Sequence, residues 1–197
     1  MSGRPREFDY EQALERAMEV FWHHGYEGTG MAELVERTGV AKQSLYNTFG
    51  NKQQLFTAAL EHYAENQHRA VLDVLERPGS PLANIEALLA MWREKAVSED
   101  CSGCFIVNSI VEVDSQDSEA ARFLARKIHH LERGFREALE RAAEAGEIPS
   151  SVDPRQMARI LVNTAQGLAI LGKLPVGTEF LDDIIEGTRA LLSGNVG

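Results

Sequence analysis

Seven side chains able to pair with phosphates or base edges crowd positions 42 to 52: Lys42, Gln43, Ser44, Tyr46, Asn47, Thr48 and Lys52. No Asp or Glu occurs between Glu36 and Glu61, although the chain carries 30 acids against 20 Lys and Arg. An acidic protein that clears negative charge from one short segment presents it to something negative, and the phosphate backbone of DNA is the best candidate. Gln and Asn can pair with adenine, Lys with guanine, and Ser or Thr with base edges or phosphates. The Tyr46 hydroxyl can reach a phosphate. Lys52 opens a helix whose free N–H groups favour the same anion. The net charge of −10 excludes non-specific coating of nucleic acid by the whole surface, so any DNA contact is local.

These side chains act together only if short helices aim them. Met31 to Phe49 reads as a short helix, a turn at Gly39 and a second short helix, the geometry of a helix-turn-helix. Gly39 suits a left-handed turn. Leu45 and Phe49, four apart, anchor the inner face of the second helix. Spacing alone also fits a plain amphipathic helix pair in an all-α core. Upstream, Asp9 is the expected N-cap with Gln12 at the capping-box position. Ala13, Leu14, Ala17, Met18 and Phe21 follow as one apolar stripe that ends before Gly25. Thr29 is expected to cap Met31–Arg37. A long helix begins near Lys52 and runs to about residue 76, where ERPGSPL (76–82) punctuates the chain.

The segment ALERAMEVFWHHGYEGTGMAELVERTGVAKQSLYNTFGNKQQLF resembles the N-terminal DNA-binding region of the TetR family of bacterial transcriptional regulators. The matching features are the helix ending in Phe21, the Gly25-Tyr26 corner, Thr29, Gly39-Val40, Leu45-Tyr46, Phe49 and Lys52. The resemblance implies that Thr29, Lys42, Tyr46, Thr48 and Lys52 hold phosphates while Gln43, Ser44 and Asn47 face bases. Three positions depart from the family pattern: Val35 for an alanine, Ala41 for a capping Ser or Thr, and Thr48 for a histidine. The leader Arg4-Pro5-Arg6 reads either as an arm for a narrow minor groove or as a flexible charged terminus.

The resemblance implies an all-α fold of about nine helices. Residues 1–52 would form an arm and a three-helix DNA-binding domain, and residues 53–197 a helical effector and dimerisation domain. The helix from 52 to about 76 connects the two. It further implies a homodimer on a pseudo-palindromic double-stranded operator and a small-molecule effector, most simply as a repressor. Helical patterns open at Ser80-Pro81, Ser118, Asp153-Pro154 and Thr178, and the last two would supply the dimer bundle. CFIVNSIVEV (104–113) is β-branched enough for a strand, but the chain offers no partner strand, so it reads as a buried helix. Polar groups in apolar helices mark Asn108, Glu112, Asn163 and Gln166, with Trp92 and Cys104, as effector-pocket candidates. Cys101 and Cys104 have C-x-x-C spacing. They are either small residues opening an apolar helix or, as the alternative function, a thiol- or metal-responsive sensor. No enzyme, cofactor, resident metal or membrane span is expected, and two cysteines suit a reducing cytoplasm.

Overall fold

The computed structural model describes residues 8–98, 101–112 and 119–195, and the described residues form nine helices and no strand. The first three are α1 (Tyr10–Gly28), α2 (Met31–Thr38) and α3 (Lys42–Phe49). Asp9 caps α1 by accepting from the Gln12 N–H at 3.1 Å. Gly25, at φ 73°, interrupts the helical backbone of α1, so Tyr26 to Gly28 leave it in a new direction. Gly39 closes α2 in the left-handed conformation (φ 70°, ψ 12°), its N–H donating to the Val35 carbonyl. Ala41 gives α3 no side-chain cap. Thr29 does not cap α2: Gly30 holds that position, and the buried Thr29 hydroxyl donates to the Gly25 carbonyl at 2.6 Å.

Helix α4 (Lys52–Leu75) starts with a full capping box between Asn51 and Gln54. Twenty-four residues at about 1.5 Å each make it roughly 36 Å long. Its first half, through Leu55, Phe56, Leu60 and Tyr63, belongs to an N-terminal core with Leu14, Phe21, Leu34, Leu45 and Phe49. Its last turns, Val74 and Leu75, belong to a second core. That second core is built with α5 (Pro81–Val97), α7 (Glu119–Glu144), α8 (Pro154–Leu171) and α9 (Thr178–Leu192). Ser80 and Asp153 cap α5 and α8, each with Pro in the first turn, where its missing N–H costs nothing. Arg93 on α5 grips Asp182 on α9 with two hydrogen bonds, at 2.6 and 2.9 Å, and Arg189 on α9 reaches Glu86 on α5 at 2.7 Å.

The β-branched stretch forms the short helix α6 (Phe105–Ile110). Phe105 is buried edge-on against Phe56 and Tyr63, which places α6 in the N-terminal core although it lies in the second half of the chain. Ser118, expected to open α7, lies outside the described residues.

Candidate DNA-binding surface and effector cavity

Helix α3 is oriented by its apolar residues. Leu45 and Phe49 are buried, and the Phe49 ring stacks on Tyr10 at 5.0 Å between centroids. The opposite side is left to solvent. Lys42, Gln43 and Asn47 are exposed, and Ser44, Tyr46 and Thr48 are half-buried along the edges. Gln43 donates to Asn47 at 3.0 Å, which holds both amides side by side one turn apart. The Lys42 ammonium lies 5.8 Å from the Tyr46 ring centre, and that of Lys52 lies 4.4 Å from the Tyr26 ring centre. Cation–π contact of this kind holds a flexible cation near one place. Six of the expected contact residues thus lie on the outer side or edges of α3, and Lys52 opens α4 beside Tyr26. Thr29 is separate, since its hydroxyl is committed to Gly25 and it is 2% exposed. Arg4 and Arg6 lie outside the described residues.

A cavity of about 360 Å³ opens between α4, α5, α6, α7 and α8. Of the effector-pocket candidates Trp92, Cys104 and Gln166 line it, together with Tyr63, His68 and Lys127. The other three expected residues stand elsewhere. Asn108 donates to the Ser102 carbonyl and accepts from Lys173. The Glu112 carboxylate accepts from the Tyr26 N–H and abuts Gly25, where any β-carbon would collide with it. Asn163 is exposed on α8. A polar residue in an apolar helix needs a partner, and for Asn108 and Glu112 that partner is protein rather than ligand.

Burial and the adjacent Cys104 push the Tyr63 hydroxyl well above its ordinary range. Burial, then His130 and Lys127, pull His68 down to about 4, so its ring is neutral at neutral pH. Its Nδ1 is sealed from solvent with no hydrogen-bond partner among the described residues, and its ring stacks on His130 at 5.4 Å. Cys101 and Cys104 are both free, half-buried and part of the cavity wall. No cluster of three metal-ligating side chains occurs among the described residues. Sequence reasoning missed Tyr63, His68 and Lys127. No spacing within α4 or α7 marks them, because the space they surround lies between helices.

Cavity and reading surface are joined twice. Helix α4 carries Lys52 at one end and Tyr63, His68 and Val71 of the cavity wall further along. Around α6, the Ser102 carbonyl accepts from the Trp22 indole N–H at 3.1 Å, and Glu112 holds Tyr26. Cys104, Ile106 and Val107 of the same segment line the cavity.

A helix-turn-helix fused through one long helix to a hollow helical domain defines a class, the one-component DNA-binding regulators. The family model for bacterial regulatory proteins of the tetR family matches residues 13–59, and that for the tetracyclin repressor-like C-terminal domain matches residues 81–186. The chain belongs to the TetR family. It is 35% identical to the HTH-type transcriptional regulator YezE of Bacillus subtilis (strain 168), over 96% of this chain and 99% of that protein. It is 34% identical to the HTH-type transcriptional repressor ComR of Escherichia coli (strain K12), over 96% and 91% of the two. Among solved structures it resembles a cysteine mutant of the TetR family transcriptional regulator CifR complexed with 26-base-pair double-strand operator DNA. That likeness has 34% identity, a TM-score of 0.79, and coverage of 95% of this chain and 98% of that one. No helix among the described residues is long and apolar enough to cross a membrane.

Proposed function

We propose that the protein is a homodimeric transcriptional repressor, acting in the cytoplasm without catalysing a reaction, that releases its operator when a small molecule enters the cavity. The observation that carries this reading is the sharing of α4 between the two cores, with Lys52 at its start and His68 in the cavity wall. The two expected domains, 1–52 and 53–197, are then the reading and sensing parts, and α4 is their lever. Lys42, Tyr46, Thr48 and Lys52 hold phosphates, and Gln43, Ser44 and Asn47 read bases. Thr29 drops out of the phosphate set as a hydroxyl donor. On sequence grounds Arg4 and Arg6 add a minor-groove contact.

Dimerisation uses α8 and α9. Ile160, Ile170 and Phe180 expose apolar surface there, and Gly167 and Gly187 have open space where side chains would stand. Small residues in such positions let a partner's helices approach closely. Two subunits also supply the second recognition helix that a pseudo-palindrome requires.

From Lys52 to Gln67 the rise along α4 is about 22 Å. A tilt of about 5° at the cavity end of α4 therefore moves each reading head by about 2 Å, and the two heads by up to about 4 Å in opposite senses. A coupling of about 1–3 kcal/mol would weaken operator binding roughly 5- to 150-fold. The test is binding of the purified dimer to DNA from its own upstream region, by anisotropy and footprinting. Saturable, two-fold symmetric protection that Tyr46→Ala weakens at least tenfold is expected. Protection without two-fold symmetry, or an unaffected Tyr46→Ala protein, would overturn the reading.

A further inference from the structure

The cavity wall has an unusual charge. In a chain with 30 acids and 20 Lys and Arg, the described residues that line the cavity include Lys95 and Lys127 and no Asp or Glu. Chance placement in so acidic a protein favours the opposite balance. Lys127 is half-buried and sits 5.2 Å from the Phe123 ring, and no carboxylate pairs with it among the described residues. The Lys95 ammonium lies 5.7 Å from the Trp22 ring and likewise has no acidic partner there. Other cations of the same domain do meet carboxylates, Arg93 at Asp182, Arg159 at Glu132 and Arg189 at Glu86 and Glu186, so these two lysines differ from them in having none. Most of the remaining wall is apolar or aromatic, with Val71, Trp92, Ile106, Ile128 and Leu131 among it.

Resting on the proposed function, we infer that the effector is an amphipathic anion, a carboxylate on an apolar body of roughly a dozen non-hydrogen atoms, with the charge held by Lys127. The size follows from about 360 Å³ of cavity and about 30 Å³ for each water-sized group. The charge follows from physics. A cation withdrawn partly from water keeps its full attraction for an anion only where no acid neutralises it first, and the interaction strengthens as the effective dielectric falls. His68 and Gln166 add uncharged polar edges to the wall, and the neutral state of His68 leaves lysine as the cation of the inner wall. Among the described lining residues a cationic ligand would meet two ammonium groups and no carboxylate. A wholly apolar one would desolvate Lys127 without compensation.

The experiment uses the intact dimer and two probe series of matched size. One series is decanoate, decanol and decylamine. The other is 2-naphthoate, 2-naphthol and 2-naphthylmethylamine. Binding is read from the fluorescence of Trp92 and Trp22 and from the melting temperature, and operator release is read separately by anisotropy. In at least one series the carboxylate should bind tenfold or more tighter than the alcohol, and the amine least. Whichever series shows the effect distinguishes an alkyl from an aromatic body. Lys127→Met should remove the carboxylate preference while leaving alcohol binding and ligand-free operator affinity unchanged. Lys95→Met, nearer the solvent, should remove less of it. Equal affinity for carboxylate and alcohol in both series, no carboxylate binding below the millimolar range, or a preference that survives Lys127→Met would overturn the inference. If carboxylates bind with the expected preference and leave the operator occupied, the ligand class stands and the effector reading fails. If a neutral probe alone binds and releases the operator, the effector reading stands and the ligand class fails.

Discussion

Replacing Lys52 with alanine isolates the phosphate part of the proposed DNA contact. The Lys52 ammonium stands at the first residue of α4, behind an intact Asn51–Gln54 capping box, and is steadied by the Tyr26 ring at 4.4 Å. Each neutralised phosphate contributes about −0.9 to the slope of log affinity against log salt. A dimer presents two copies, so the variant should lower the slope by about 1.8. At 0.1 M salt the same relation gives a loss of about 60-fold, which shrinks to about tenfold at 0.3 M. The fold survives the change, because a cation–π contact of about 0.5–1 kcal/mol is small beside a typical stability of about 5–15 kcal/mol. Operator and scrambled DNA of equal length should lose affinity in the same ratio, since a phosphate carries no sequence. Gln43→Ala supplies the contrast: its loss, about 1–3 kcal/mol, should be confined to the operator and leave the salt slope alone. Anisotropy titrations at four salt concentrations on both DNAs measure all of this. A Lys52→Ala penalty that is independent of salt, or that spares scrambled DNA, refutes the placement of Lys52 on a phosphate.

Two further outcomes follow from the joints between cavity and reading head. Glu112→Ala removes the acceptor of the Tyr26 N–H, a charged hydrogen bond spanning 86 residues of sequence, and should cost about 1–3 kcal/mol, seen as a melting temperature lower by several degrees. An unchanged melting temperature would show that the contact carries no weight. His68 titrates near 4 in the folded chain, while an unfolded histidine titrates near 6.5. Between those values the unfolded state binds the extra proton, so the stability from neutral His68 is complete above about pH 6.5 and is lost as pH falls towards 4. The slope cannot exceed about 1.4 kcal/mol per pH unit, and solvent in the cavity keeps it lower. Denaturant unfolding from pH 4 to 7 should show a shallower dependence for His68→Gln than for the parent chain, and identical slopes would refute the assignment.

The helices of this protein were legible because their ends are written in local chemistry. Asp9, Ser80 and Asp153 each accept from backbone N–H groups two or three residues on, a relation visible in sequence. Leu45 and Phe49 fix which side of α3 faces outward for the same reason: a four-residue spacing has one geometric consequence. Thr29 shows the limit of local reading. A threonine before a helix can cap it, but here the chain turns at Gly25 and brings a closer carbonyl to the hydroxyl. The cavity was the least legible feature. Tyr63, His68 and Lys127 surround space that several distant helices fail to fill, and no spacing within one helix encodes a gap between helices. Asn108 and Glu112 were singled out correctly as polar groups in need of partners, yet sequence cannot say whether such a partner is a ligand or a backbone group 86 residues away.

The window 37–60 of this acidic chain holds no acid, the described residues of the cavity wall hold none either, and α4 belongs to both. An anion in the cavity might be thought to repel the operator directly, but the magnitudes decide against it. Lys52 and His68 are 16 positions apart on one helix, about 24 Å. At an effective dielectric of about 20, two unit charges at that distance interact by about 0.7 kcal/mol before screening. Salt with a Debye length of about 8 Å removes most of what remains. The coupling needed is about 1–3 kcal/mol. Under the proposed function, charge would select the ligand at one end and hold the phosphates at the other, and the message between them would have to travel as movement of α4 and of the α6 contacts to Trp22 and Tyr26.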